Sequence, residues 1–435
     1  MTFSMPDFIE RKRDGAAHTP EDLRGFVCAV RDAQVPDYQT SAWLMAAFLN
    51  GLDADELAAF TDALAHSGDT VRLPDGACAV DKHSTGGVGD KTTLIVAPLV
   101  AACGLRVAKL SGRGLGFTGG TVDKLASIPG FDTHLSTDRF VRQIGEIGVA
   151  VSGHSLDLAP AESKFYALRD VTGTVPSIPL IASSIVSKKI AGGAAAFVFD
   201  VKCGRGAFME DGESAEKLAR ALVDLAATLG KKSVCLVTDM EQPLGEWVGN
   251  AVEVAEAIDV LSGRGPADTR EVSLALAAEM LLVGGRAKSI EEAGALARRS
   301  LDDGEALRRF RDMVAAQGGD ASVCENPERV LPTAKYRREI AAPRDGRIAR
   351  MDARAIGNAV RAIGGGRLRK EDAVDLAVGV RLRKKTGARV VAGEPVLELL
   401  YDDEARLEAA LPHIARAWSV AEEAAARPLI HGRVA

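Results

Sequence analysis

The sequence predicts an α/β fold with α+β character. It should hold a discontinuous helical domain, an α/β domain with a mixed sheet, and a glycine-rich C-terminal α+β domain. Three observations predict this. Residues 1 to about 70 have helical character throughout, and the stretch from there to about Gly153 alternates strand and helix. Beyond about Arg338, glycines recur among short apolar segments, including Gly364-Gly365-Gly366, Gly379, Gly387 and Gly393. Residues 159–191 return to helical character between two α/β stretches, which splits the helical domain. The expected bounds are 1–67 with 159–192 for the helical domain, 76–154 with 196–337 for the α/β domain, and 338–435 for the last.

Each element has a local reason. Thr19-Pro20-Glu21-Asp22 supplies a cap, a first-turn proline and acidic residues ahead of Leu23. Gln39 to Leu52 is strongly apolar through Trp43, Leu44, Met45, Phe48 and Leu49, and Asp53 caps a helix through Ala65. Gly68, Pro74 and Gly76 mark a hinge. An apolar helical run, Leu94 to Cys103, precedes a strand from Arg106 to Leu110. Helices on either side of Thr172 to Pro179 lead to strand Phe197 to Val201, helix 213–229 and strand Ser233 to Val237. Val390 to Leu400 alternates as a strand should, and Gly393-Glu394-Pro395 resembles the turn of a lipoyl- or biotin-carrier barrel. No Met-Lys-Met sequence is present, which argues against a carrier function.

Two glycine-rich loops flank the 94–110 unit. The first runs Asp81-Lys82-His83-Ser84-Thr85-Gly86-Gly87-Val88-Gly89-Asp90-Lys91-Thr92-Thr93, and the second is Ser111-Gly112-Arg113-Gly114-Leu115-Gly116-Phe117-Thr118-Gly119-Gly120-Thr121. Glycines let backbone N–H groups turn toward an anion, and a helix N-terminus adds positive potential. Lys82, Lys109 and Arg113 bring charge, while Ser84, Thr93, Ser111 and Thr121 bring neutral donors. Together they form a phosphate cradle built twice. Neither loop is a dinucleotide fingerprint or a Walker A sequence. Ser184 and Lys188, four apart, share a helix face, and Arg169 comes from a neighbouring element.

Composition narrows the partners. The chain is 47% hydrophobic and 26% charged with net charge −6, an ordinary globular balance without the basic footprint of a nucleic-acid binder. No apolar run reaches membrane-spanning length, and the first residues lack a signal-peptide core. The six scattered cysteines read as reduced thiols, so a cytoplasmic location is expected.

Lys-His-Ser-Thr-Gly-Gly-Val-Gly-Asp (82–90), Ser-Gly-Arg-Gly-Leu-Gly-Phe-Thr-Gly-Gly-Thr-Val-Asp-Lys-Leu (111–125) and the stretch Tyr166 to Lys189 resemble the signatures of the thymidine and pyrimidine-nucleoside phosphorylases. That resemblance implies a homodimer joined through the helical domain and an active site between domains. It also implies phosphorolysis of uridine, thymidine and deoxyuridine by direct attack of inorganic phosphate at the anomeric carbon. Lys82, Ser84, Thr93, Lys109, Leu110, Ser111 and Thr121 would hold phosphate and sugar. Arg169, Ser184 and Lys188 would hold the pyrimidine edge, with His83, Arg169 and Lys188 serving the chemistry. No organic cofactor is expected. Related enzymes hold a potassium ion near the first loop, and the matching positions are Gly89, Lys91, Leu244, Trp247 and Glu256. Lys91 stands where a relative carries threonine, and its cation would compete with that ion. Phe117, Ala126 and Cys203 replace the family's usual histidine, glutamate and valine. The alternatives are a phosphoribosyltransferase-like enzyme, which shares a related architecture, and a non-catalytic nucleoside- or phosphate-binding relative.

Overall fold

Five parallel strands carry the centre of the molecule: β1 (Ala79–Ser84), β2 (Arg106–Ser111), β3 (Val149–Gly153), β4 (Ala196–Cys203) and β5 (Lys232–Asp239). The computed structural model describes residues 4–73, 79–114, 116–153, 158–369, 372–425 and 427–435. The order across the sheet is β5-β4-β1-β2-β3, and Ile430–Val434 adds an antiparallel edge beside β5, so the sheet is mixed as expected. The chain steps outward from β1 to β3 and then returns on the other side of β1. Strand order therefore reverses between β1 and β4, and ligands of open α/β sheets bind beyond the carboxyl ends at such a point. In this register Ser84 lies opposite Asp200.

Helix Thr92–Ala102 is buried along nearly its whole length, which explains an apolar sequence with no polar stripe. It is wedged among helices Ala251–Leu261, Ala267–Val283 and Glu305–Ala316.

The helical unit gathers Met5–Arg13, Pro20–Arg31, Asp37–Asn50 and Ala54–Ala65 with Pro160–Thr172 and Ile178–Ala191. Its core is aromatic: Trp43 lies among Phe8, Phe26, Phe60 and Phe165. The caps match the sequence. Thr19 accepts from Asp22 N, and Asp53 with Glu56 forms a reciprocal capping box.

Two small antiparallel sheets build the C-terminal part. Val390 to Leu400, expected as one strand, is split by the Gly393 turn. Arg389–Val390 pairs with Gly346–Met351, and Pro395–Tyr401 pairs with Tyr336–Ala341 and Gly379–Leu382. Residues 396–401 are buried without interruption rather than alternating. Two strands cross the domain bounds read from sequence: Trp247–Gly249 joins Gly379–Leu382, and Ile430–Val434 returns to the central sheet. Pro74, Gly76, Cys78 and Leu115 lie outside the described residues. No described helix is long and apolar enough to cross a membrane.

Candidate active site

The first loop closes on itself at the switch point. Ser84 Oγ donates to Asp90 at 2.5 Å and accepts from Gly86 N. Asp90 also accepts from Thr92 N at 3.2 Å and Thr92 Oγ1 at 2.6 Å. Lys82, only 2% exposed, donates to Thr92 Oγ1 at 2.6 Å and lies 3.0 Å from Asp200. Lys202 stands 2.8 Å from the same carboxylate oxygen and donates to Thr238 Oγ1. Burial pushes Asp90 up, but Lys202, Lys82 and Lys124 outweigh it and hold the carboxyl well below its ordinary range. Lys82 is therefore part of a balanced, buried network under the loop. Thr93, Ser111 and Thr121 donate to no group among the described residues, and Thr93 lies in the first turn of helix Thr92–Ala102.

The second loop is pinned from two directions. Asp123 accepts from Gly114 N at 2.7 Å and receives both Arg367 Nη groups at 2.9 and 3.0 Å. The loop crosses itself at Gly120, where a Cβ would come within 2.1 Å of Gly114 N. Phe117 lies under the Arg354 guanidinium, 5.0 Å from its ring centre, and beside Phe208.

Lys109 faces inward. Its Nζ donates to Leu110 O at 2.9 Å and lies 3.7 Å from Asp81, while Lys189 Nζ donates to the same carbonyl at 3.0 Å and lies 2.7 Å from Asp81. Burial, with Lys189 and Lys82 nearby, pulls the Lys109 ammonium well below its usual range despite Asp81. This triad ties helix Ile178–Ala191 to the end of β2. Lys109 is buried within it, 4% exposed.

In the helical unit, Lys188 Nζ donates to Ser184 Oγ at 3.0 Å and lies 2.9 Å from Glu162, to which Ser184 Oγ also donates. The ammonium stands 5.4 Å above the Tyr166 ring. Arg169 uses three of its five N–H donors on the carbonyls of Thr174, Val175 and Leu180, shaping the 173–180 turn and leaving two donors over. Half-buried His83 lies in the field of Lys189, Lys109, Lys188 and Lys82. Burial first, and then those lysines, hold its imidazole well below its ordinary value, so it is neutral.

Sequence reading missed Glu162, Asp200, Lys202, Thr92, Lys189 and Arg367. Asp200 and Lys202 had a signal, being charges that alternate at the end of an apolar strand. Arg367 had none.

The residues matched to a potassium site converge, but Lys91 Nζ occupies their centre. It donates to Leu244 O at 3.1 Å, Trp247 O at 2.8 Å and Glu256 at 2.6 Å. The carbonyl of Gly89 accepts instead from Lys91 N. Burial lowers the Lys91 ammonium, but Glu256, Glu253 and Asp268 outweigh it and raise it above its ordinary value. A potassium ion does not fit beside an ammonium that already fills this cage.

The chain matches the family described as "Glycosyl transferase family, a/b domain" over residues 76–307. It also matches that family's helical bundle domain over 6–68 and the "Pyrimidine nucleoside phosphorylase C-terminal domain" over 347–421. It is 50% identical to a pyrimidine-nucleoside phosphorylase of Geobacillus stearothermophilus over 402 residues, 92% of each chain. The like-named protein of Staphylococcus haemolyticus is 46% identical over 428 residues, 98% of each. Among solved structures, anthranilate phosphoribosyltransferase from Thermus thermophilus shares the fold, with a TM-score of 0.59 at 22% identity. That match covers 71% of this chain and 98% of the other. By these matches, which together span all three parts of the fold, the chain belongs to the glycosyl transferase family and, within it, to the pyrimidine-nucleoside phosphorylases.

Proposed function

We propose that this chain cleaves uridine, thymidine and deoxyuridine with inorganic phosphate, giving free base and a pentose 1-phosphate. The carrying observation is that the two glycine loops lie against each other at the switch point, Gly86 beside Thr118, with Ser111, Thr121 and Thr93 donating to no group among the described residues. Lys188 of the Lys188–Ser184–Glu162 cluster is near enough to act on His83. A phosphate oxygen forms a bond to the anomeric carbon as the glycosidic C–N bond breaks, and the bond's electron pair leaves on the pyrimidine. Loop amides, the Thr92 helix end and the hydroxyls of Ser111, Thr121 and Thr93 suit the dianion. The Lys188 ammonium and the two spare Arg169 N–H groups suit the carbonyl and imide edge, where negative charge grows. Neutral His83 donates a hydrogen bond to the leaving base, and solvent completes its protonation.

The buried quartet Lys82, Lys202, Asp90 and Asp200 keeps the first loop in place, so Lys82 supports phosphate from beneath. A homodimer through the helical unit is supported by an exposed stripe on helix Asp37–Asn50: Tyr38, Ala42, Met45 and Leu49. The reading of a cytoplasmic location is supported by the free cysteines, four of the five described being buried. The test is uracil release from uridine with and without phosphate, with the sugar product identified. Release that needs phosphate and yields ribose 1-phosphate supports the reading. No release, or release indifferent to phosphate, overturns it.

A further inference from the structure

We infer that the Lys91 ammonium is the resident cation of the cage behind the first loop, and that this chain works without a metal ion there. An ammonium has three donors, and all three are engaged, two on main-chain carbonyls and one on a carboxylate. Lys91 is 1% exposed and Glu256 is 3% exposed, so the pair is sealed from solvent.

Glu256 is itself fully used. Besides Lys91 it accepts from Glu246 N at 2.7 Å and Trp247 N at 2.8 Å. The walls leave little slack: a Cβ on Gly245 would meet Glu256 at 2.4 Å and Lys91 Nζ at 2.8 Å. A Cβ on Gly89, whose φ is +71°, would meet Leu244 O at 2.4 Å. A second positive charge in this space would be repelled and would find its oxygens taken.

The tether also has a mechanical effect. Lys91 immediately precedes helix Thr92–Ala102 and follows Asp90, which closes the first loop. Its side chain reaches segment 244–247, whose Leu244 N donates to Val88 O. Lys91 is thus a positioning residue: it fixes the amides of 86–90 through the backbone and touches no reacting atom. A covalently held cation cannot dissociate, so loop order does not depend on the salt present.

The test uses the full-length protein with potassium exchanged for tetramethylammonium at matched ionic strength, up to about 0.1 M. Thermal midpoint is read without nucleoside, so the result stands whatever the chain cleaves; kcat/KM for uridine is read beside it. For the wild type, both are expected to be indifferent to potassium. Lys91→Met is expected to lower the midpoint and to reduce kcat/KM by about 10²-fold, the loss typical of a site displaced by about 1 Å. Potassium should restore neither. Lys91→Thr, which vacates the cage, should gain a saturable rise in midpoint with potassium. A saturable potassium response in the wild type overturns the inference, as does a Lys91→Met protein equal to wild type. Indifference of a folded Lys91→Thr to potassium also overturns it, since the cage would then hold no free cation. Should Lys91→Thr not fold, the wild type and Lys91→Met decide.

Discussion

Lys82 and Lys188 carry the same charge in opposite surroundings, and this separates what their loss should do. Lys82 is sealed against Asp200 and Asp90, so Lys82→Ala leaves Lys202 as the one cation of the quartet facing two buried carboxylates, and should destabilise the fold by less than the about 3–5 kcal/mol of a fully stranded charge. Lys188 keeps 22% of its side chain exposed and shares Glu162 with Ser184. Lys188→Ala should leave the thermal midpoint within a few degrees of wild type while cutting kcat/KM for uridine by about 10²–10³-fold, the range for one lost stabilising donor. Steady-state kinetics beside a thermal melt measures both, and a Lys188→Ala protein with near-native kcat/KM would remove Lys188 from the site. Both lysines were readable, one in a glycine loop and the other at helical spacing from Ser184. Which carboxylates they pair with was not. Asp200 lies on a strand paired with β1 only through the sheet, and Glu162 reads as any first-turn acid. The same limit explains Lys109, whose inward turn depends on Asp81 and Lys189 meeting in three dimensions.

Among the helices, the N-terminal unit was legible to its caps because capping is local: Thr19 and Asp53 sit within one turn of the groups they satisfy. What lay beyond local reading is the burial of His18. Its ring stacks on Phe8 at 3.7 Å, and its Nε2 accepts from Trp43 Nε1 at 3.1 Å. Burial first, with Lys12 and Arg11 adding, pulls its pKa down to about 4 against Glu56 and Asp22. The folded value lies below the unfolded 6.5, so the unfolded chain binds the extra proton. Stability is fully present above about pH 6.5 and falls as pH drops toward about 4, by at most about 3 kcal/mol. His18→Gln keeps an acceptor for Trp43 and removes the titration. Its thermal midpoint should fall less between about pH 7 and about pH 4 than that of wild type; equal slopes would show that His18 is not the group. The neighbouring helix Asp37–Asn50 turns Tyr38 (74% exposed) and Leu49 (71% exposed) outward. Leu49→Glu should weaken the proposed dimer about tenfold or more by placing a charge in its contact, at roughly 1.4 kcal/mol per decade. Sedimentation across micromolar concentrations reads this, and a wild-type monomer there would end the dimer proposal.

At the scale of the whole molecule, the glycine loops and the strand–helix alternation made the fold class readable, because both patterns are local in sequence. The joining of the C-terminal part to the site was not. Residues 338–435 read as a separate domain, yet that part reaches into the site region at several points. Arg367 clamps Asp123, Asn250 Nδ2 donates to Gly365 O, and Gly357 lies so close to Phe117 that a Cβ there would meet its carbonyl at 2.4 Å. The second loop therefore takes its shape partly from residues near 354–367. Asp123 is the hinge of this coupling, since the oxygen that accepts from Gly114 N also accepts from Arg367. Arg367→Met would leave that nearly buried carboxylate with the Gly114 amide alone among its described partners, and the loop would lose one of its two fixings. If the loop holds phosphate, KM for phosphate should rise several-fold, while KM for uridine changes less because the Lys188–Ser184–Glu162 side is untouched. Asp123→Asn should act in the same direction. Because the two side chains form one contact, the double variant should fall short of the sum of the singles by about 0.5–3 kcal/mol in kcat/KM at low phosphate. Additive single effects would mean that the C-terminal part merely covers the loop. A coupling energy in that range would make residues 338–435 part of the phosphate site, coupled to it through the bidentate Arg367–Asp123 pair.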